Sequence, residues 1–447
     1  MTKWKTWATL VVLAAMAHPG LAQSVSLVEH PIVGDCFHIS LDMQVAGELR
    51  MVRDGAPLAI PLKATANHNF SERLLLVEAS GLPMKAARYY DKAEAKFQAG
   101  DDTRTQSLRP SCQTVVAHRI KDQLITYCPK EPLTQTELDL IGEHLDSLSV
   151  TGLLPAEAVK VGDTWKVGNA AIAGLSGLEG LVSQEVACKL DSVDEDQARV
   201  SFTGTISGID LGAMAKLTVS GTFVFDRKQN RVTALEWKQL DDRDQGPASP
   251  ASQVSTNWTM KREVVEVPTP LADYSLVAAK ISDEASAPEP DALNVVLRDV
   301  KERFHLVCER DWHTVSQTEK HLILRLIDRG DFVAQVTITP WTKADPGEHL
   351  PVDDFKKVLD ETPGWEAEEI REDGELPSGK GYWAYRVSAL GTMDEMKVLQ
   401  THYLVAGPQG DQVIIGVTLK PALAEKMGTR DLKLVEGIEF DAKSDGP

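Results

Sequence analysis

The sequence predicts an α+β protein built in two parts. Three observations carry that expectation. Alternating, strand-length apolar runs dominate residues 23–282, and two segments in that region have helical spacing instead. A small, acidic, proline-containing stretch, Asp283-Glu-Ala-Ser-Ala-Pro-Glu-Pro-Asp291, then separates it from a final region that mixes both patterns. The expected architecture is a strongly curved, half-barrel-like antiparallel sheet with two helices over 23–282 and a linker over 283–291. An antiparallel sheet with packed helices follows over 292–447.

The chain opens on an address rather than a structural element. Lys3 and Lys5 precede an apolar run from Trp7 to Ala17, and Gly20-Leu21-Ala22 has the small-x-small form of a cleavage site. Residues 1–22 read as a secretory signal peptide, with Gln23 as the first mature residue. The run is too short to cross a bilayer comfortably, and the mature chain is expected to have no integral membrane span. The location this implies is periplasmic or extracellular, in a bacterium.

Phe37, Ile39, Leu41 and Met43 alternate with His38, Ser40 and Asp42, the period of a half-buried strand. Met84 to Phe97 is expected to be a helix ending near Gly100, and Leu133 to Leu148 a second one. The second opens on Thr134-x-x-Glu137, a capping box. From Gly180 to Val267 five strands follow in a meander, with turns at Asp194–Asp196 and Lys228–Asn230. Gly204 and Gly221 lie mid-strand and are read as bends in a curved sheet. Val33-Gly-Asp-Cys-Phe37 and Val161-Gly-Asp-Thr-Trp165 echo one another, either as a shared turn signal or as two related β-halves. In the last region Asp291 is placed as the cap of a helix carrying Leu293, Val296, Leu297, Val300 and Phe304. Strands, a short helix with Val352, Phe355 and Leu359, three long strands and a closing helix complete it.

The 447 residues include 47 basic and 66 acidic side chains, a net charge of −19, with 43% hydrophobic residues. Residues 23–291 carry 26 basic against 38 acidic groups, and residues 292–447 carry 19 against 28. Both parts are acidic, which argues against nucleic acid and against a polybasic membrane-surface role.

There are five cysteines, Cys36, Cys112, Cys128, Cys188 and Cys308. In an exported chain Cys112 and Cys128 are the expected disulfide. They flank two β-prone arms around a turn near Lys121-Asp122, and a hairpin centred at residue 120 would set them opposite each other. The other three cannot be paired from sequence, and Cys188 reads as a buried thiol.

The order of elements in the last region resembles the PsbP/Mog1/DcrB-like family. The resemblance lies in the Glu309-Arg-Asp-Trp312 turn, the strands ending in Thr339-Pro-Trp341, the Asp353–Leu359 helix, the strands from Tyr382 to Leu419, and Leu432-x-Leu-Val-Glu-Gly-Ile-Glu-Phe440. It covers about 150 residues and implies a non-catalytic binding or assembly module, with no functional residue carried over. The first region loosely resembles exported bacterial β-rich proteins of unknown function. It also resembles half-barrel carriers of the lipoprotein-chaperone type. Leu153-Leu-Pro155 with Val161-Gly-Asp-Thr-Trp165 prompts this, as do Ser220–Asp226 and Arg231–Glu236.

Catalytic, metal and cofactor motifs are not found. The eleven histidines form no HExxH, and His144 reads as a polar helix position. Gly174-Leu-Ser176-Gly177 lacks the spacing of a nucleophile elbow and reads as a flexible loop. Ser378-Gly-Lys-Gly381 lacks P-loop spacing and reads as a turn. Asp241-Asp-Arg-Asp244 lacks the distal ligands of a calcium loop, and Glu366–Glu375 reads as a solvated acidic run. The expected function is an exported, non-catalytic cell-envelope binding or assembly protein whose partner is an envelope protein or an apolar ligand. The alternatives are a hydrolase with a dispersed site, a lipid or lipoprotein carrier using the curved sheet, and a structural envelope component.

Overall fold

The computed structural model describes residues 24–53, 55–120, 123–142, 145–360, 364–377, 381–393 and 395–440. The signal-peptide reading, the Lys121-Asp122 turn, His144 and the residues 378–380 lie outside the described residues.

One long antiparallel sheet takes up most of the first 264 residues. In chain order its first strands are β1 (Cys36–Arg53), β2 (Ala56–Val77), β3 (Pro83–Ala99), β4 (Asp102–Ser107), β5 (Thr114–Ile120) and β6 (Gln123–Tyr127). After β7 (Leu133–Thr134), which belongs elsewhere, come β8 (Thr164–Lys166), β9 (Gly180–Gln184), β10 (Ala187–Val193) and β11 (Gln197–Asp210). The series ends with β12 (Ala213–Asp226), β13 (Arg231–Arg243) and β14 (Ala251–Val264). The spatial order is β6-β5-β3-β2-β1-β14-β13-β12-β11-β10-β8, with β4 on β3 and β9 on β11.

The later chain forms two smaller sheets. β15 (Val295–Arg298), β16 (Phe304–Cys308) and β24 (Ile438–Phe440) join β7 in the order β24-β16-β15-β7, with β15 parallel to β7. The seven-stranded sheet runs β17-β18-β19-β23-β22-β21-β20. Its strands are β17 (Trp312–Gln317), β18 (Leu322–Asp328), β19 (Asp331–Pro340), β20 (Trp365–Glu375), β21 (Trp383–Met393), β22 (Met396–Ala406) and β23 (Gln412–Leu419).

The expected fold class is therefore wrong. Strands make up 56% of the chain and helices 15%, and the large sheets are neither closed nor strongly curled. Three segments explain the error. Met84–Phe97 is not a helix but most of β3, flanked by β2 and by β4 and β5. Its Ala, Lys and Glu favour helix locally, but pairing on both edges outweighs a propensity of tenths of a kcal/mol per residue. The correct signal was Ala93, Ala95 and Phe97 alternating with Lys92, Glu94 and Lys96. The expected helix from Leu133 to Leu148 splits into α1 (Gln135–Gly142) and a 3-10 turn, Ser147–Leu153, begun by Asp146. The capping box does form: Thr134 N donates to Glu137 Oε2 at 2.9 Å and Glu137 N to Thr134 Oγ1 at 3.2 Å. The helix expected after Asp291 is instead a 3-10 turn, Pro290–Leu293, followed by β15, where Val295 and Leu297 are buried on one face.

The mid-strand glycines provide clearance rather than curvature. A Cβ at Gly221 would lie 2.0 Å from the Glu236 carbonyl oxygen and 2.4 Å from the Phe202 ring. The space lets Phe202 lie across the neighbouring strand and meet Trp237 at 5.0 Å, with Trp258 stacked on Trp237 at 5.3 Å. The two Val-Gly-Asp segments form one turn used twice. Gly34 and Gly162 take left-handed φ values of 96° and 97°. Asp35 and Asp163 each cap a backbone N–H three residues back. The first turn clasps the backbone of Leu74 and the second that of Leu190, through the same pair of hydrogen bonds.

Helix α1, the 147–153 turn and α2 (Asn169–Ser176) cover one face of the long sheet, and a continuous apolar cluster fills the space beneath them. A smaller cluster on the other face joins Cys36, Leu75, Ala87, Val116 and Tyr127 to Leu271, Leu276 and Ile281. The last region has its own core around Trp312, Tyr403 and Ile415. Helix α4 (Val352–Asp360, numbered after α3, Asp273–Ala278) seats Phe355 and Leu359 on the other face of that sheet, as its spacing predicts.

Candidate functional site

The two cysteines singled out by sequence do meet, though not as a cross-strand pair. The β5–β6 register sets Val116 against Tyr127, and Cys112 sits outside the ladder at the end of the 3-10 turn Pro110–Cys112. Both side chains are buried, at 0% and 1% exposure, and all five cysteines are free thiols in this structure. Cys112 donates a hydrogen bond to Cys128, which raises the Cys112 pKa and lowers that of Cys128; the backbone N–H groups of Lys130 and Glu131 lower the latter further. Arg109 borders the pair, with its NH2 3.6 Å from Cys112 Sγ. Arg109 is itself held by Glu137 at 2.6 and 2.8 Å and by Glu131 at 3.0 Å. Glu137 thus caps α1 and anchors the arginine, and its pKa lies below the usual carboxylate value although burial opposes this; Arg109 hydrogen bonds dominate the lowering.

A second cluster, not found from sequence, lies between the sheet and the 147–153 turn. Arg88 on β3 is fully buried and donates to Glu72 on β2 at 2.8 Å, to Ser147 Oγ at 2.9 Å and to Asp146 at 3.4 Å. Arg119 on β5 donates to the other Asp146 oxygen and to Ser149 Oγ. Ser149 Oγ and Leu148 N also donate to Asp146, at 2.8 and 3.1 Å. Two cations face two carboxylates, so the cluster is electrically closed, as burial requires. Helix α2 seals it. Gly174 sits so close that a Cβ there would lie 2.0 Å from Ser149 Oγ. The Gly174–Gly177 stretch is therefore not a flexible loop but the end of a helix, capped by Gly177 in the left-handed region. The sequence offered one clue to this cluster, charged residues placed inside otherwise apolar strands.

The remaining candidates disperse. On β13, Asp241 is buried and pairs with Arg243 while Asp242 points to the opposite face and pairs with Arg50, so no ligand set converges. The acidic run 366–375 is β20, whose carboxylates engage Lys397, Arg386 and Lys356. Ser316 Oγ lies 3.5 Å from His321 Nε2, but this is a local contact between the end of β17 and the β17–β18 turn. No group of three or more His, Cys, Asp or Glu able to hold a metal occurs among the described residues. The carrier reading required an unfilled concave apolar face under a curved sheet. That face is packed by Phe70, Tyr90, Leu140, Leu148, Ile172 and their neighbours.

No family model matches this sequence, and no curated protein matches it. Among solved structures, lipovitellin resembles it at 10% identity and a TM-score of 0.32, over 54% of this chain and 26% of that one. This chain therefore spans about a quarter of lipovitellin's length. Cyanobacterial PsbP from Synechocystis sp. PCC 6803 is similar at 9% identity and a TM-score of 0.27, over 35% of this chain and 98% of its own. The Saccharomyces cerevisiae Ran-binding protein Mog1p is similar at 12% identity and a TM-score of 0.25, over 33% and 95%. The likeness to PsbP and Mog1 structures thus extends over about a third of the chain.

Proposed function

We propose that this is an exported, non-catalytic binding or assembly protein of the bacterial cell envelope. Export rests on residues 1–22. The binding reading is carried by one contrast. The Arg88–Glu72–Asp146–Arg119 cluster is paired and buried, whereas a two-stranded ribbon at the β1–β2 turn leaves apolar side chains exposed, with Val52 at 70%. Surface of that kind marks interaction rather than chemistry. No described helix is long and apolar enough to cross a membrane.

Cross-linking in intact cells followed by denaturing purification tests the reading. The expected result is a defined adduct with an envelope protein or lipid. A protein that yields no adduct, carries no lipid by native mass spectrometry and turns over a substrate in a hydrolase panel would overturn it.

A further inference from the structure

The β1–β2 ribbon outruns both of its neighbours. β14 pairs with β1 only as far as Arg50↔Ala251, and β3 pairs with β2 only from Leu62↔Ala99 inward. Beyond those points β1 and β2 pair only with each other, through Met51↔Leu58 and Val52↔Pro57. Alternation along a strand separates the two faces. One face carries Leu49, Met51, Leu58 and Ile60, continuous with the buried positions Ile39 and Leu41. The other carries Val52, Arg50 and Glu48 against Pro57, Ala59 and Pro61, and the neighbouring stretch of β1 carries Asp42 and Gln44. In the two rungs beyond Arg50, Met51↔Leu58 and Val52↔Pro57, the ribbon therefore presents apolar side chains on both faces, and Met51, Val52, Pro57, Ala59 and Pro61 are exposed.

We propose that this ribbon docks into the headgroup–hydrocarbon boundary of a lipid bilayer. The inference rests on the binding role above and names its partner. A groove on another protein would satisfy one apolar face, and a surrounding apolar medium satisfies both. Pro57 and Pro61 have no N–H to offer an added strand, so this edge resists sheet extension by a second copy or a peptide. The reach fits. About three residues per strand clear the neighbouring strands, on the order of 10 Å at ~3.3 Å per residue, comparable with the roughly 5–10 Å depth of interfacial elements. A spanning strand would need about 9–11 residues. The same sheet end carries Met214, 40% exposed, in the strand after the β11–β12 turn, and that turn meets Gly330, two residues before Phe332, also 40% exposed. Arg50, at the ribbon's base, is already paired with Asp242 at 2.7 Å and Glu48 at 3.7 Å. With a net charge of −19, the chain gains nothing from an anionic surface, so attachment is apolar and insensitive to salt.

Flotation with phosphatidylcholine vesicles tests this, comparing the full chain with its Val52→Asp/Leu58→Asp variant, both with the same N-terminus. The wild type is expected to float equally at low and high salt and no better with phosphatidylglycerol present. The variant should lose at least tenfold in partitioning while keeping its circular dichroism and urea midpoint. If the double variant misfolds, Val52→Ser carries the same comparison at a fully projecting position. Wild type that does not float, or variants that float equally, would overturn the proposal whether or not a protein partner is found. A dimer that dissociates in the variant without any change in flotation would assign the ribbon to a second copy and also overturn it.

Discussion

Replacing Asp146 by Ala should be among the most destabilising single changes in this protein. Asp146 is 2% exposed and accepts from both Arg88 and Arg119, from Ser149 Oγ and from the backbone of Leu148. Its removal leaves two buried guanidinium groups facing a single carboxylate, Glu72. Breaking a buried pair in this way costs about 3–5 kcal/mol, a large share of a typical total stability of about 5–15 kcal/mol. With a urea slope of about 3 kcal/mol per molar for a chain of this size, the midpoint should fall by about 1 M or more. The second half of the test is a cycle with Arg119→Met. Removing both partners restores charge balance, so the double variant should be more stable than the sum of the single losses by at least about 1 kcal/mol. The assay is equilibrium urea unfolding followed by tryptophan fluorescence. An Asp146→Ala midpoint within error of wild type, or strictly additive losses, would refute the reasoning, because either result would mean that the cluster is not closed electrically.

Cys112 and Cys128 should form a disulfide when the protein is exposed to oxidised glutathione, the two thiols losing their hydrogens as glutathione disulfide is reduced. Closing that loop should add about 3 kcal/mol, and peptide mapping that finds both thiols alkylated without prior reduction would count against it. Gly221→Ala should destabilise by about 1–3 kcal/mol through the close approach to Glu236 and Phe202, whereas Gly374→Ala, which meets nothing within 4 Å, should be near neutral; equal thermal midpoints for the two would contradict the clearance account. Burial lowers His68 and His402 each to about 4. For each, the unfolded chain takes up its proton first as pH falls from 6.5, so stability is full above 6.5 and is lost down to about pH 4. The loss is on the order of 3 kcal/mol per histidine, and His68→Gln should flatten that part of the pH–stability curve. A variant curve that parallels wild type would show that His68 is not the titrating group.

Much of the strand content was legible because period-two alternation is a local property of the chain. Phe37–Met43, the last four strands of the meander and the three long strands after Tyr382 fall where that pattern puts them, whereas the first expected strand of the meander splits into β9 and β10. The capping box at Thr134 and the paired Val-Gly-Asp turns were equally local, since each is closed by hydrogen bonds within a few residues. The failures share one cause. Met84–Phe97 has the composition of a helix and is a central strand, and Val295–Leu297 is a strand where a helix was expected, because in both cases partners distant in sequence supply the edges. The Arg88–Glu72–Asp146–Arg119 cluster was invisible for the same reason: its four charges come from three strands and a turn.

By itself, then, the sequence determined the acidity of both parts and most of the strands. Tertiary structure alone decided that the long sheet stays open and is packed beneath its helices, that the buried charges balance, and that β1 and β2 run past their neighbours to leave an apolar ribbon in solvent. Alternation and capping are set within a few residues, whereas sheet edges, charge balance and exposure depend on which distant strands arrive alongside.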